Sequence, residues 1–257
     1  MKRIILNYLV ITTLVVSAVF MSCNKCGCDD YIGDEIKLLK TISYGIGGYE
    51  KYEYDAQNRI SQISHHFENG DKWSTETFIY RENDLITVVR ETANFYWLNR
   101  TTEFVNNGDN TITMTERNGD NISVYTILLS NEYPTKVELI DDLRSVCFTY
   151  DYLNGNMTMF QSYTSGDDSI DLSAEYLYDD NKSPFYFCQT PKWYMFHAFY
   201  TRASNNNVIE IITDNITAEL EYEYDHSGFP IKCTRKNVSS GDNDNELILY
   251  EYKILYR

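Results

Sequence analysis

The chain has 257 residues, of which 43% are hydrophobic and 15% aromatic, and its formal charge at pH 7 is −16. Such an acidic excess repels phosphate groups, which speaks against a nucleic-acid partner. The length and apolar fraction are sufficient to bury the core of one sizeable domain.

The first 22 residues have the layout of a secretory signal peptide. Lys2 and Arg3 precede a mostly apolar run over residues 4–20. That run is short for a transmembrane helix, and a polar, acidic segment follows it. We therefore expect residues 1–22 to be removed from the mature chain.

The signal peptide ends in a lipobox-like junction. Ser22 directly before Cys23 resembles a bacterial lipobox, in which the cysteine becomes the lipidated first residue. We expect lipidation of Cys23, an acidic tether at 23–34, and the membrane as a partner through the lipid. Plain secretion or an uncleaved anchor is the alternative.

The other cysteines do not form a metal-binding pattern. Cys26 and Cys28 are one residue apart, whereas zinc-finger ligands are separated by two to four residues. They are incidental or mutually paired thiols on the tether. Cys147, Cys188 and Cys233 are expected to be buried free thiols. The four histidines are scattered, so we expect no metal and no cofactor.

From residue 35 onward the sequence has the composition and rhythm of β-strands. Turn signals such as Asn-Gly recur about every twelve residues. Between turns the residues alternate, as where Leu220, Tyr222 and Tyr224 share one face and Glu221 and Glu223 share the other. The pattern predicts an antiparallel meander of about 16 strands.

Every second turn carries a tyrosine signature. The clearest copies are Tyr52–Ile60, which reads YEYDAQNRI, and Tyr222–Ile231. Weaker copies fall at Phe78–Ile86, Phe104–Ile112, Phe148–Asn156 and Tyr176–Phe185. A signature at every second turn gives a repeat of roughly 24 residues, which corresponds to one β-hairpin per unit.

These units resemble the YD repeat of Rhs and teneurin shells, written Y-x-Y-D-x-x-G-R-[LI]. In the first copy Asn58 replaces the glycine, and in the last Phe229 replaces the arginine. With the lipobox, the chain is similar over about residues 35–257 to uncharacterised Bacteroides lipoproteins described as having a porin-like β-barrel fold. The resemblance implies a fold and an envelope location. It transfers no catalytic residue.

A meander this long is expected to close on itself. About sixteen strands exceed what an open twisted sheet usually holds, and open edges favour aggregation. We therefore predict one all-β domain over 35–257, curled into a closed or nearly closed barrel with its tyrosines inward. The short strands and polar outer face favour a soluble barrel over a membrane porin.

The 183–204 segment interrupts the rhythm. Its length would require an unusually long strand, and its two prolines would remove ladder hydrogen bonds. Trp193, Phe196 and Tyr200 fall at helical spacing instead. We expect a plug-like insertion with a short helix after Pro191 that closes one barrel end.

The candidate ligand-binding residues are aromatic side chains and one histidine, namely Trp97, Trp193, Tyr194, Phe196 and His197. They either form a platform for a sugar or another flat ligand, or pack as a structural plug. No motif for nucleophilic or phosphate chemistry occurs, so we expect no catalytic residue.

The sequence thus favours a lipid-anchored outer-membrane protein facing either the periplasm or the medium. Its expected role is a non-catalytic binding or structural module, with a glycan as the ligand. One alternative is an envelope hydrolase that uses paired carboxylates at a barrel mouth. Another is an accessory subunit whose partner is an envelope protein.

Overall fold

The computed structural model describes residues 35–45, 47–93, 98–139, 146–164, 169–214, 216–237 and 246–256. The predicted signal peptide, the tether with Cys23, and Trp97 lie outside the described residues. The chain divides into a unit of residues 1–36 and 255–257 and a unit of residues 37–254. The residues that line the two main cavities belong to the second unit.

Sixteen antiparallel strands form a closed barrel in which β16 is the neighbour of both β15 and β1. The predicted all-β meander of about 16 strands is thereby confirmed. Consecutive strands are neighbours throughout. Their bounds are β1 (Glu35–Tyr44), β2 (Gly48–Tyr54), β3 (Ile60–His66), β4 (Lys72–Arg81), β5 (Asp84–Thr92), β6 (Arg100–Asn106), β7 (Thr111–Asn118), β8 (Asn121–Ser130), β9 (Tyr133–Leu139), β10 (Val146–Leu153), β11 (Asn156–Thr164), β12 (Ile170–Lys182), β13 (Asn206–Thr213), β14 (Thr217–Tyr224), β15 (Pro230–Asn237) and β16 (Glu246–Tyr256).

The first tyrosine repeat shows why its residue types build a hairpin. Asp55 Oδ1 accepts hydrogen bonds from the backbone N–H groups of Gln57 and Arg59, both at 2.9 Å. Asn58 takes the left-handed conformation, with φ of 62°, which asparagine tolerates well. Arg59 Nε donates to Asp55 Oδ2 at 2.7 Å, and its guanidinium lies 4.1 Å from the ring centre of Tyr80. The arginine therefore links one repeat to the next.

The last repeat keeps this turn with a different cation. Asp225 Oδ1 accepts from the backbone N–H groups of Ser227 at 2.9 Å and Phe229 at 3.1 Å. Gly228 has φ of 79° at the position of Asn58. Phe229 replaces the arginine, and Lys37 Nζ from β1 supplies the positive charge 2.6 Å from Asp225 Oδ2.

Tyrosine side chains of several hairpins bind the backbone of the preceding strand. Each hydroxyl donates to a carbonyl oxygen near the start of that strand, which satisfies a main-chain acceptor. The pairs are Tyr80 with Ile60 at 2.8 Å, Tyr152 with Pro134 at 2.9 Å, Tyr178 with Met157 at 2.5 Å and Tyr252 with Pro230 at 2.9 Å. The Tyr54 hydroxyl is buried without such a partner among the described residues.

The connection from β12 to β13 contains one helix, α1 (Lys192–Phe199), and a 3₁₀ turn, Tyr200–Ala203. Its backbone binds two repeat turns, because Gln189 N donates to Asn58 O at 3.0 Å and Asn205 N to Gly155 O at 3.2 Å. We call the barrel end with these turns the repeat end. Among the described residues no helix is long and apolar enough to cross a membrane.

The side chains of α1 pack among inward-facing aromatic rings of the barrel. The ring centre of Trp193 lies 5.0 Å from that of Phe104, and the ring of Tyr194 lies 5.5 Å from Phe78. Phe196 is the most deeply placed aromatic residue of the helix. The helix therefore lies inside the barrel and fills its core from the repeat end.

Candidate functional site

A cavity of about 360 Å³ lies inside the barrel, between α1 and the end opposite the repeat end. We call it the lumenal cavity. Its barrel wall carries six charged or titratable side chains, and α1 with the following turn contributes an arginine, aromatic rings and a second histidine. The wall residues are Glu50, His65, Glu76, Arg90, Arg100 and Glu116, joined by Arg202 from the 3₁₀ turn.

Strand alternation explains why these charges point inward. Glu50 is two residues before the buried Tyr52 on β2, and Glu76 is two residues before the buried Phe78 on β4. The register then places Arg90 on β5 directly opposite Glu76. Charged residues thus continue the inward face of each strand where the apolar core ends.

The charges form a chain of ion pairs across the strands. Arg202 Nη1 lies 3.6 Å from Glu50 Oε2, and His65 Nδ1 lies 3.6 Å from Glu50 Oε1. The other ring nitrogen of His65, Nε2, lies 3.8 Å from Glu76 Oε1. Arg90 Nε lies 3.7 Å from the same oxygen of Glu76. Along this chain of side chains the charges alternate in sign, so each group is stabilised by attraction to its neighbours in a partly dry environment.

Hydrogen bonds fix the Arg202–Glu50 end of this chain. Arg202 Nη1 donates to the Tyr44 hydroxyl oxygen at 2.8 Å, and the Tyr52 hydroxyl donates to Glu50. Because Arg202, His65 and Tyr52 all hold Glu50, its carboxylate has little freedom to turn toward the cavity.

The pKa values follow from burial and these neighbours. Burial raises the pKa of Glu50, but the His65 imidazole and the charge of Arg202 outweigh it and lower that pKa to about 2. Burial lowers the pKa of His65, but Glu50 and Glu76 outweigh it and raise that pKa to about 9. His65 is therefore protonated at neutral pH. Burial and the nearby Arg100 lower the pKa of His197 to about 4, so this histidine is neutral.

His65→Gln should change how stability depends on pH. The folded-state pKa of about 9 exceeds the ordinary 6.5, so the stabilisation from charged His65 is complete below pH 6.5 and disappears as pH rises to 9. The wild-type advantage in free energy of unfolding should fall by roughly 3 kcal/mol across that window. Urea denaturation at a series of pH values measures it.

His66→Gln is the matched control for this prediction, because His66 follows His65 and points to the other face of β3. A wild-type advantage over His65→Gln that is unchanged from pH 6 to pH 9.5 would contradict the assignment.

The structure distributes the sequence-predicted candidates over different places. Tyr194 and His197 line the lumenal cavity. Trp193 is 8% exposed and lines a separate cleft of about 440 Å³ at the repeat end. Phe196 is 0% exposed and does not reach either space. Trp97 lies outside the described residues.

The charged wall of the cavity is not among the sites predicted from the sequence, because strand alternation usually places charged residues on the outer face. The available signal was positional, since Glu50, Tyr52 and Tyr54 occupy the same face of one strand. A charge in phase with buried aromatic residues indicates a polar interior.

The donor groups of the described residues do not indicate a metal centre. Within residues 35–256, as far as the structure describes them, no group of three His, Cys, Asp or Glu side chains could hold a metal ion. Cys147, Cys188 and Cys233 are free thiols. Burial raises the pKa of Cys188, which keeps it in the protonated form that neither binds metal nor attacks readily.

Comparison with solved structures finds similar barrels. One is a porin-like protein from Bacteroides uniformis ATCC 8492, solved by crystallography. It is 15% identical, the match covers 86% of this chain and 96% of that chain, and the TM-score is 0.52. No protein-family model matches the chain, and no curated protein matches it. An identity this low shows a shared porin-like barrel fold alone.

Proposed function

We propose that the protein is a lipid-anchored envelope protein that binds a glycan in the lumenal cavity without transforming it. The observation that carries this proposal is Tyr200. Its ring lines the cavity and is 42% exposed although it lies in the barrel interior. Aromatic rings provide the flat apolar faces on which the C–H groups of sugars stack.

The surroundings of Tyr200 suit a polyhydroxylated ligand. Tyr200 has a φ of 49°, which is uncommon for a bulky residue, and its ring packs edge-on with that of Phe160, with 5.7 Å between the ring centres. Arg and Glu side chains on the facing wall supply donors and acceptors for hydroxyl groups. A cavity of this size lies within the range of small-molecule sites.

The hydrolase alternative receives less support from the same wall. Inward-pointing carboxylates are present, but Glu50 and Glu76 are each engaged by His65 and an arginine. The pKa of Glu50, lowered to about 2, keeps it ionised, whereas a glycosidase needs one protonated carboxylic acid. The arrangement favours binding over acid catalysis.

Tyr200→Ala should weaken glycan binding by about fivefold, since stacking on one aromatic ring contributes on the order of 1 kcal/mol. Isothermal titration of the purified full-length protein against a panel of neutral and acidic oligosaccharides measures this. Tyr186→Ala is the matched control, because Tyr186 is also 42% exposed but lies at the repeat end. If an oligosaccharide bound Tyr200→Ala as tightly as Tyr186→Ala, its binding site would lie outside the lumenal cavity.

The envelope location rests on the sequence of the leader and on the outer surface. The lipobox-like Ser22-Cys23 junction supports lipidation, and the porin-like barrel from Bacteroides uniformis offers an analogy of fold. The outer face of β14 and β15 carries ion pairs between Glu223 and Lys232 and between Glu221 and Lys236. Such a surface favours contact with water, so the anchor rather than the barrel would hold the protein to the outer membrane, on its periplasmic or external face.

Cys23→Ala should abolish incorporation of a metabolic fatty-acid label, because the lipidated thiol is removed. Labelled cells expressing the wild type, Cys23→Ala and the nearby Cys26→Ala provide the comparison. Cys26→Ala should keep the label. Label that persists in Cys23→Ala would remove the support for a lipid anchor.

A further inference from the structure

Two arginines face each other across neighbouring strands of the lumenal cavity. Arg90 on β5 and Arg100 on β6 are direct partners in the register, and both line the cavity. Like charges placed directly opposite each other are destabilising unless other groups offset them. The pair therefore needs negative charge nearby.

The protein's own carboxylates offset this pair incompletely. Arg100 Nη1 lies 3.0 Å from Glu116 Oε2, which is a full ion pair. Among the described carboxylates Arg90 approaches Glu76, at 3.7 Å, which is too long for a hydrogen bond, and its guanidinium also lies 5.4 Å from the ring centre of Trp73. Arg90 Nε is buried without a hydrogen-bond partner among the described residues. Glu76 is also shared with His65.

A histidine on α1 supplies a further unused group in the same cavity. His197 lines the cavity, and its Nδ1 is buried without a hydrogen-bond partner in the described part of the chain. Burial and the neighbouring Arg100 lower the pKa of His197, so its ring is neutral. A neutral imidazole can still donate one hydrogen bond to an anion without adding charge.

The net charge of the cavity wall indicates the charge of the ligand that would fit it. Three carboxylates, of Glu50, Glu76 and Glu116, face three guanidinium groups and the protonated His65. The wall therefore carries one net positive charge within a chain whose formal charge is −16. One excess positive charge matches a carboxylate better than a dianionic phosphate.

We propose that the lumenal cavity recognises a sugar carboxylate, as in a uronic acid, with the carboxylate between Arg90, Arg100 and His197 and the ring against Tyr200. This inference rests on the proposed glycan-binding function and specifies its ligand class. Planar guanidinium groups suit a carboxylate, because they can donate two parallel hydrogen bonds to its two oxygens.

The test compares acidic sugars with their neutral counterparts. Titration of the full-length protein uses disaccharides of glucuronate, galacturonate and mannuronate, each beside the sugar obtained by reducing its carboxylates to alcohols. At least one acidic member should bind about tenfold more tightly than its neutral partner. Added salt should reduce this difference, because it is electrostatic.

Arg90→Gln and Arg100→Gln should each remove the preference, and Arg117→Gln should keep it. Arg117 is the matched control, because it belongs to the adjacent β7 and pairs with Glu103 outside the cavity lining. Two separate cavity variants keep the test usable if one of them does not fold.

The outcomes separate this inference from the proposed function. Equal binding of acidic and neutral sugars, lost in Tyr200→Ala, would overturn the carboxylate inference and leave glycan binding in place. Binding of neither set would overturn both. A preference that persists in Arg90→Gln and in Arg100→Gln would overturn the assignment of these arginines.

Discussion

Phe196→Ala should destabilise the barrel by about 3–5 kcal/mol, as expected when a large aromatic side chain is removed from a packed core. Phe196 is fully buried between the rings of Tyr133 and Tyr152, with ring centres 5.3 and 4.9 Å away. These two rings belong to β9 and β10, so the loss would separate α1 from the barrel wall. Urea denaturation followed by tyrosine and tryptophan fluorescence measures the change.

Tyr186→Ala is the control for this prediction as well, because it removes an exposed aromatic ring from the same β12–β13 connection. It should cost less than about 1 kcal/mol. A loss for Phe196→Ala as small as that for Tyr186→Ala would mean that α1 does not support the barrel.

Asp55→Ala should cost about 2–3 kcal/mol, because three hydrogen bonds to one carboxylate disappear together. Two come from the backbone N–H groups of Gln57 and Arg59, and the third comes from the Arg59 side chain. Asp55→Asn keeps an acceptor oxygen for the backbone groups and loses mainly the ion pair with Arg59. It should therefore cost about half as much.

Asp151→Ala is the matched control, because Asp151 also follows a tyrosine in a repeat-like stretch. Its side chain is exposed near the end of β10. The substitution should be nearly neutral in chemical denaturation. Equal losses at Asp55 and Asp151 would show that the turn hydrogen bonds are not the source of stability.

Asp55 and Asp151 show that the sequence predicts the strands and the barrel better than it predicts the role of each repeat residue. Composition, alternation and turn spacing predicted the strands and the closed barrel, because these depend on local backbone preferences. In the repeat beginning at Phe148 the motif reading placed the signature at Tyr150 and Asp151. The structure uses Tyr152, whose hydroxyl binds Pro134 O next to a bulge after Asp151. A bulge shifts the register by one residue, and no single residue type predicts where a bulge will occur.

The helix after Pro191 follows from helical spacing and proline chemistry, and the structure has it at Lys192–Phe199. The charged wall of the lumenal cavity could not be predicted in the same way. Its members come from β2 to β7 and from the 3₁₀ turn, and their distances depend on the pairing register of the closed barrel. Register is a property of the whole sheet, whereas alternation is a property of one strand.

The closure of β1 onto β16 has a consequence for how the chain folds. Fifteen of the sixteen neighbouring strand pairs join consecutive strands, and only this pair joins the two ends of the barrel sequence. Hairpins bring together residues about a dozen positions apart, but Gly45 N and Leu247 O, joined at 2.9 Å, are separated by almost the entire domain. Loop-closure entropy makes that contact about 2–3 kcal/mol more costly to form than a hairpin. Most of the barrel can thus assemble by rapid local steps, and the final closure sets the time at which the last free strand edges disappear.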